Sequence, residues 1–122
     1  MRVLVVRKRG TRAFMQPGGK LNDGECHLTA LARELREELR CSFEPASPVF
    51  LGTFTSAAAN EEGCVVEAAL YCVELAGLIE AASEIEEIAW LSLHPPPEFE
   101  LAPLTLEHVL PLARYFSANS PA

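Results

Sequence analysis

The order of apolar and polar residues divides the chain into strand-like and helix-like segments. The apolar run Arg2–Arg9 predicts a buried strand with a basic end, followed by a turn at Gly10-Thr11. Pro17-Gly18-Gly19 then predicts a tight turn in a loop. After this loop, leucines recur at helical spacing and predict a helix with a core-facing stripe: Leu28, Leu31, Leu35 and Leu39.

The second half of the chain predicts further strands and a final helix. Three apolar segments predict strands: Ser47–Thr55, Val65–Leu75 and Ile88–Leu93. A polar tip beginning at Asn60 separates the first two, which predicts an antiparallel hairpin or meander. A last helix is predicted from Thr105 to about Phe116, kinked at Pro111. Its predicted inward side chains are Leu106, Val109, Leu110, Ala113 and Phe116.

Length and composition indicate one soluble domain of mixed α and β structure. A chain of 122 residues can form one core, and 49% hydrophobic residues with no apolar run near ~18 residues is typical of soluble proteins. The apolar part of the N-terminal segment is too short for a signal peptide, so we expect a cytoplasmic protein. The four cysteines show no close pairing motif and predict reduced thiols, and the three histidines are too scattered to predict a zinc site.

The charge balance limits the partners that we expect. Ten basic and 17 acidic residues leave a net charge of −7, which opposes binding to a nucleic acid polymer or an anionic membrane. A phosphorylated small molecule remains compatible with this charge when metal ions bridge it to acidic residues.

The first predicted helix carries three carboxylates on one face. At about 100° per residue, Glu37 and Glu38 lie within roughly 60° and 40° of Glu34. Like charges at these spacings destabilise a helix by roughly 0.2–0.5 kcal/mol per pair, and nearby arginines offset this only in part. A hard divalent cation such as Mg²⁺ or Mn²⁺ would relieve the remaining repulsion. The alternative is a solvated, charge-rich surface helix.

The segment Gly19–Cys41 resembles the signature box of the Nudix hydrolases. That box is a glycine, five residues, a glutamate, seven residues and then a run matched here by Arg33-Glu34-Leu35-Arg36-Glu37-Glu38. Outside the box, Arg2–Arg7 and Trp90–Leu93 resemble family strands. The resemblance implies an α/β fold, the α/β/α sandwich with a mixed β-sheet, in a single Nudix hydrolase domain at 1–122.

The chain departs from the family pattern in three ways. The usual strand before Val3–Val6 is lacking, so either the start is placed too late or another element or chain, as in a homodimer, covers the exposed sheet edge. Arg40 replaces the glycine of the box and Cys41 replaces its final aliphatic residue. A left-handed cap costs a residue with a Cβ ~1–2 kcal/mol, so we expect the helix to run on toward Cys41-Ser42. Cys26 replaces a Ser or Thr N-cap, so we expect a weaker helix start.

The resemblance implies a Mg²⁺-dependent pyrophosphohydrolase, with Mn²⁺ as a possible substitute. Its substrate would be a nucleotide-type small molecule, a nucleoside diphosphate linked to another moiety: a nucleoside triphosphate, an oxidised nucleotide or a nucleotide sugar. By resemblance, the metal ligands are Glu34, Glu37, Glu38 and the carbonyl of Gly19. A non-catalytic nucleotide-binding or regulatory module on the same fold is the alternative, and a protein-interaction surface is a third interpretation.

Other residues of the chain are candidates for catalytic positioning. Water would be oriented or deprotonated by Glu34, by Glu38 or by Glu84, which lies in a later loop. Arg33 would position Glu25 or a neighbouring carboxylate rather than react.

Basic and aromatic side chains are candidates for substrate binding. Phosphate contact is predicted for Lys20 and, at the strand end, for Arg7 or Lys8, with solvated surface charge as the alternative. Phe14 and Phe54 could stack on a base, although a place in the core is favoured.

Overall fold

The strands and helices follow the order that the sequence predicts. The computed structural model describes residues 2–59, 61–96 and 98–119, so Asn60 of the predicted tip lies outside the described residues. Its elements are β1 (Arg2–Lys8), α1 (His27–Leu39), β2 (Ser42–Phe43), β3 (Val49–Ala57), β4 (Val65–Cys72), β5 (Leu75–Ala76), β6 (Ile85–Ser92), a π-helix (Thr105–Val109) and α2 (Leu110–Asn119). None of the helices within these ranges is long and apolar enough to cross a membrane.

The strands pair antiparallel, β1 with β6, β2 with β5 and β3 with β4. The β3–β4 pair confirms the predicted hairpin, with Val49 opposite Cys72 and Ala57 opposite Val65. The predicted strand Val65–Leu75 is divided into β4 and β5. A parallel bridge from Phe14 to Leu101 connects the loop before α1 to the segment before the π-helix.

Strand β1 lies between the two α-helices. Leu4 and Val6 pack with Leu35 and Leu39 of α1, whereas Val5 packs with Leu91 of β6 and Leu110 of α2. Alternate side chains of a strand point to opposite faces. Lys8 therefore follows Leu4 and Val6 on the α1 face of β1, and Arg7 follows Val5 on the α2 face.

Helix α1 ends at Leu39, so the expectation that it runs on toward Cys41-Ser42 is wrong. Arg40 adopts the left-handed conformation, with φ 54° and ψ 29°, and its N–H donates to the carbonyl of Arg36 at 3.1 Å. Cys41 then turns into the core, where it is buried. The burial of Cys41 and the hydrogen bonds of the turn after α1 outweigh the local conformational cost of Arg40, about 1–2 kcal/mol.

A later loop completes the end of this helix. The N–H groups of Glu80 and Ala82 each donate at 2.9 Å, to the carbonyls of Leu39 and Glu38 respectively. The last helical carbonyls thus receive partners from the segment that leads to β6. At the other end, Cys26 is the N-cap residue and makes no side-chain cap hydrogen bond.

The final helical region is π-helical before Pro111. Pro111 has no N–H, so the carbonyl of Glu107 does not receive the usual helical hydrogen bond from position 111. The N–H of Leu110 donates to the carbonyl of Thr105, five residues back, which is the π-helical pattern. The predicted inward position of Leu106 is wrong, because this residue is 56% exposed. Phe116 is also exposed, whereas Leu110 is fully buried as predicted.

Candidate active site

Arg33 connects the glycine loop to the acidic face of α1. Its Nε and Nη2 donate to the two carboxylate oxygens of Glu25 at 2.9 and 2.8 Å, and its Nη1 donates to Glu34 Oε1 at 2.7 Å. Nη2 also donates to the carbonyl of Lys20 at 3.0 Å. The guanidinium lowers the pKa of Glu25 to about 2, with a smaller contribution from the backbone N–H of Asn22. Arg33 therefore has the positioning geometry that the sequence predicts for it.

Glu38 is the buried member of the acidic face. Glu38 is only 3% exposed, and its Oε1 accepts a hydrogen bond from the N–H of Gly18 at 2.9 Å. Burial raises its pKa to about 7, and the negative charges of Glu34 and Glu84 act in the same direction. The Gly18 hydrogen bond and the positive charge of Lys8 oppose this shift in pKa without cancelling it.

The raised pKa of Glu38 makes stability depend on pH with a defined sign. Between its ordinary pKa of 4.5 and the folded value of about 7, the folded protein keeps a proton that the unfolded chain has released. The free energy of unfolding therefore falls as the pH rises through this window. The gap between the two pKa values corresponds to on the order of 3 kcal/mol.

Gly19 lies against the carboxylate of Glu34. A Cβ at this position would lie 2.5 Å from Glu34 Oε1 and 2.6 Å from its carboxyl carbon. Real Cβ atoms essentially never approach another atom this closely. A side chain at position 19 would therefore collide with the Glu34 carboxylate unless that carboxylate moved.

The loop before β6 brings Glu84 to the same region. Glu84 Oε1 pairs with Lys8 Nζ at 3.3 Å, on the α1 face of β1. The charge of Glu84 also raises the pKa of Glu38. In contrast, Glu86 pairs with Arg9 at 3.3 Å. The structure therefore brings together two of the predicted site residues from outside the box, Glu84 and Lys8.

Arg7 is separated from this cluster by the alternation of β1. On the α2 face it pairs with Glu87 at 3.0 Å and donates to the carbonyl of Thr11 at 2.9 Å. Of the two candidates for phosphate contact, Arg7 and Lys8, it is Lys8 that lies beside the carboxylates. Lys20 is exposed at the loop, where only its carbonyl has a described contact, to Arg33.

The acidic face offers oxygen ligands, but they are not gathered around one point. Glu34 is held by Arg33, and the side chain of Glu37 is 56% exposed, with its Oε2 3.8 Å from Arg33. Within 2–59, 61–96 and 98–119, no three His, Cys, Asp or Glu side chains are arranged to hold a metal ion. The carboxylate oxygens of Glu34, Glu37 and Glu38 nevertheless fit a hard divalent cation in donor chemistry.

The two phenylalanines that could stack on a base have partners in the protein. Phe14 lies 4.8 Å from Phe99 between ring centroids and packs against the cluster that contains Val5. Phe54 lies 4.9 Å from the ring of His108. These contacts favour the structural role for both rings.

Two features of the site were not predicted from the sequence. The N–H of Gly18 donates a hydrogen bond to the buried Glu38, whereas the sequence predicted a tight turn at Pro17-Gly18-Gly19 and a metal-binding carbonyl at Gly19. The loop containing Ala82 docks on the end of α1 through main-chain atoms. Such main-chain contacts leave no pattern of side chains by which the sequence could reveal them.

Comparison with known proteins decides the family. A sequence model of the NUDIX domain matches residues 1–112. The chain belongs to the Nudix family. No curated protein matches this Nudix chain in a sequence search.

Solved structures share the fold of this Nudix chain. The E. coli ORF135 protein is 23% identical with a TM-score of 0.75, over 99% of this chain and 85% of that one. A MutT NUDIX hydrolase from Burkholderia pseudomallei is also 23% identical, with a TM-score of 0.69 over 92% and 84% of the two chains. A protein assigned to the nudix hydrolase family from Chromobacterium violaceum is 28% identical, with a TM-score of 0.63 over 97% and 70%.

Family and neighbours together support a Nudix hydrolase with the predicted mixed α/β fold. Nudix hydrolases act on nucleotide-type small molecules and generally use divalent metal ions.

Proposed function

We propose that this protein is a Mg²⁺-dependent pyrophosphohydrolase that cleaves the phosphoanhydride of a nucleoside diphosphate linked to another moiety. The observation that carries the proposal is the joint placement of the glycine loop and the acidic face of α1. Gly18 donates to the buried Glu38, and Gly19 lies against Glu34, whose carboxylate is held by Arg33. A buried carboxylate with a raised pKa is a frequent feature of reactive sites.

In this proposal the cation is held by Glu34, Glu37 and Glu38 with the carbonyl of Gly19. Bound Mg²⁺ would neutralise phosphate charge and activate water, and Mn²⁺ would substitute for it. Arg33 fixes the direction of the Glu34 carboxylate while Glu25 holds the guanidinium in turn. Such an arrangement limits the movement of a reacting group.

Glu84 is the residue that we propose to orient or deprotonate the attacking water. Glu34 is engaged by Arg33, and Glu38 accepts from Gly18, whereas the Glu84 side chain is 59% exposed and pairs only with Lys8 among the described residues. A base must reach its proton directly or through one water. Lys8 and Lys20 are the proposed phosphate contacts.

The proposed enzyme is a single domain over 1–122 that acts in the cytoplasm, where its four free thiols would stay reduced. Its substrate class comprises nucleoside triphosphates, oxidised nucleotides and nucleotide sugars. A panel of these compounds, assayed for release of phosphate or pyrophosphate with and without Mg²⁺, tests activity and substrate together.

The panel needs a variant that removes one ligand and a matched control. Glu37→Gln keeps the size of an exposed side chain and should lower turnover by about 10²-fold or more without unfolding the protein. Glu74→Gln, at an exposed glutamate outside the site, should leave turnover unchanged. No hydrolysis of any compound by folded protein, with Mn²⁺ also tested, would reject the enzyme in favour of a nucleotide-binding module.

A further inference from the structure

A groove lies beyond the C-terminal end of α1, next to the acidic face. It has a volume of about 520 Å³ and is lined by Arg36, Glu37 and Arg40 from the helix end and by Ala82 and Ser83 from the loop. Glu37 belongs to both this groove and the carboxylate cluster, where it approaches Arg33. Glu37 therefore borders both the groove and the proposed active site.

Two residues that line this groove, Arg40 and Ser83, have left-handed backbone conformations. Arg40 has φ 54° and Ser83 has φ 55°, and these are the non-glycine residues with positive φ in the described part of the chain. Glycine adopts this conformation without the strain that a Cβ causes. Arginine at position 40 thus has a conformational cost at the place where the signature box of the family has glycine. Strained residues of this kind cluster at functional sites.

The guanidinium groups of the two arginines in the groove have no partners among the described residues. Neither the Arg36 nor the Arg40 guanidinium makes a hydrogen bond or ion pair with any residue in 2–59, 61–96 or 98–119, in contrast to Arg7, Arg9 and Arg33. A cation near a helix C-terminus has a modest favourable interaction with the helix dipole. Arg36 alone provides that interaction in the last turn of α1. A second, strained arginine is not needed for it.

We propose that Arg36 and Arg40 bind a phosphate group of the substrate, the group that projects beyond the metal-binding carboxylates toward the helix end. Their two positive charges exceed the single charge of Glu37 and the negative end of the helix dipole, about half an elementary charge. Guanidinium groups match phosphate oxygens in bidentate geometry, and the exposed Ser83 hydroxyl is a further donor on the facing wall. This inference rests on the proposed function for the identity of the substrate, but not for the affinity of the groove for phosphate.

Inorganic pyrophosphate, titrated calorimetrically in the presence of Mg²⁺, is the probe. Arg40→Gly introduces the family residue and relieves the strain, so the variant should unfold at the same or a higher temperature. We expect it to bind pyrophosphate about tenfold more weakly, the effect of losing one charged hydrogen bond, and Arg36→Gln to do the same. The control is Arg12→Gln, because Arg12 is an exposed arginine that lines a different groove with Arg7 and Phe14.

The outcomes separate this inference from the proposed function. For a substrate that is hydrolysed, Arg40→Gly should raise KM about tenfold and change kcat by less than about threefold, because the group binds substrate and does not react. If no substrate is hydrolysed, the pyrophosphate titration still decides the matter. The arginine site is overturned if Arg40→Gly and Arg36→Gln both bind pyrophosphate within about twofold of the parent affinity. It is also overturned if Arg12→Gln loses as much pyrophosphate affinity as they do.

Discussion

Replacing Gly19 by alanine would displace one carboxylate of the site without removing a charged group. The new Cβ would lie 2.5 Å from Glu34 Oε1 and 2.9 Å from Oε2. Ordinary contact begins at 3.4 Å, so the carboxylate must retreat by about 0.9 Å, the difference between 3.4 and 2.5 Å. Gly19 is not among the residues with positive φ, so alanine can adopt its backbone conformation.

This displacement acts on a side chain that is held in place. Glu34 Oε1 lies 2.7 Å from Arg33 Nη1, so its retreat disturbs the positioning contact as well. A misplacement of about 1 Å can lower the rate by about 10²-fold, and we expect kcat/KM of Gly19→Ala to fall by this amount. Alanine in place of glycine stabilises a protein by about 0.4–1 kcal/mol where the backbone permits it, which opposes the strain of the displacement. The melting temperature should therefore change little.

The assay is Mg²⁺-dependent phosphate release with the best substrate of the panel, beside thermal unfolding of the same samples. Glu34→Asp gives a second test, because its shorter side chain leaves room for the Cβ at position 19. The loss caused by Gly19→Ala should then be much smaller in the Glu34→Asp background. Activity of Gly19→Ala within about twofold of the parent, or full additivity of the two losses, would refute the placement of Glu34 in the reactive site.

Two other predictions concern the carboxylates around Glu38. Glu38→Gln should abolish the fall in unfolding free energy between pH 4.5 and about 7, which urea unfolding at several pH values in that window measures; an unchanged slope would contradict burial of this group as its source. Glu84→Gln should lower kcat by about 10²-fold, whereas Glu86→Gln, which removes only the pairing with Arg9, should not. Equal kcat values in the two variants would remove Glu84 from the site.

The parts of the site that lie close together in sequence were predictable. Helical spacing alone places Glu34, Glu37 and Glu38 on one face of α1, and the structure keeps Glu34 and Glu38 near Gly18 and Gly19. The box also indicated that Arg33 would hold a carboxylate, and it holds two. These features depend on local geometry, which the sequence specifies residue by residue.

The differences among the three glutamates depend on packing and were not predictable. Glu38 is buried and accepts from Gly18 at its carboxylate and from Ala82 at its main-chain carbonyl, whereas Glu37, one residue earlier, remains exposed. The same packing explains the wrong expectation at Arg40, where local propensity favoured a longer helix. Propensities describe an isolated segment, and tertiary contacts can override them.

The end of α1 is where the fold accepts unfavourable local features. An ionised Glu38 at neutral or higher pH costs on the order of 3 kcal/mol relative to a solvated carboxylate, and the left-handed Arg40 adds about 1–2 kcal/mol. Neither cost serves the packing of the core, since glutamine at 38 and glycine at 40 would avoid both. A bound divalent cation would relieve the cost of the ionised Glu38. A bound phosphate would contact Arg40, the residue that has the conformational cost. The proposed metal ion and phosphate would thus bind beside Glu38 and Arg40, two residues whose replacement should stabilise the unliganded protein.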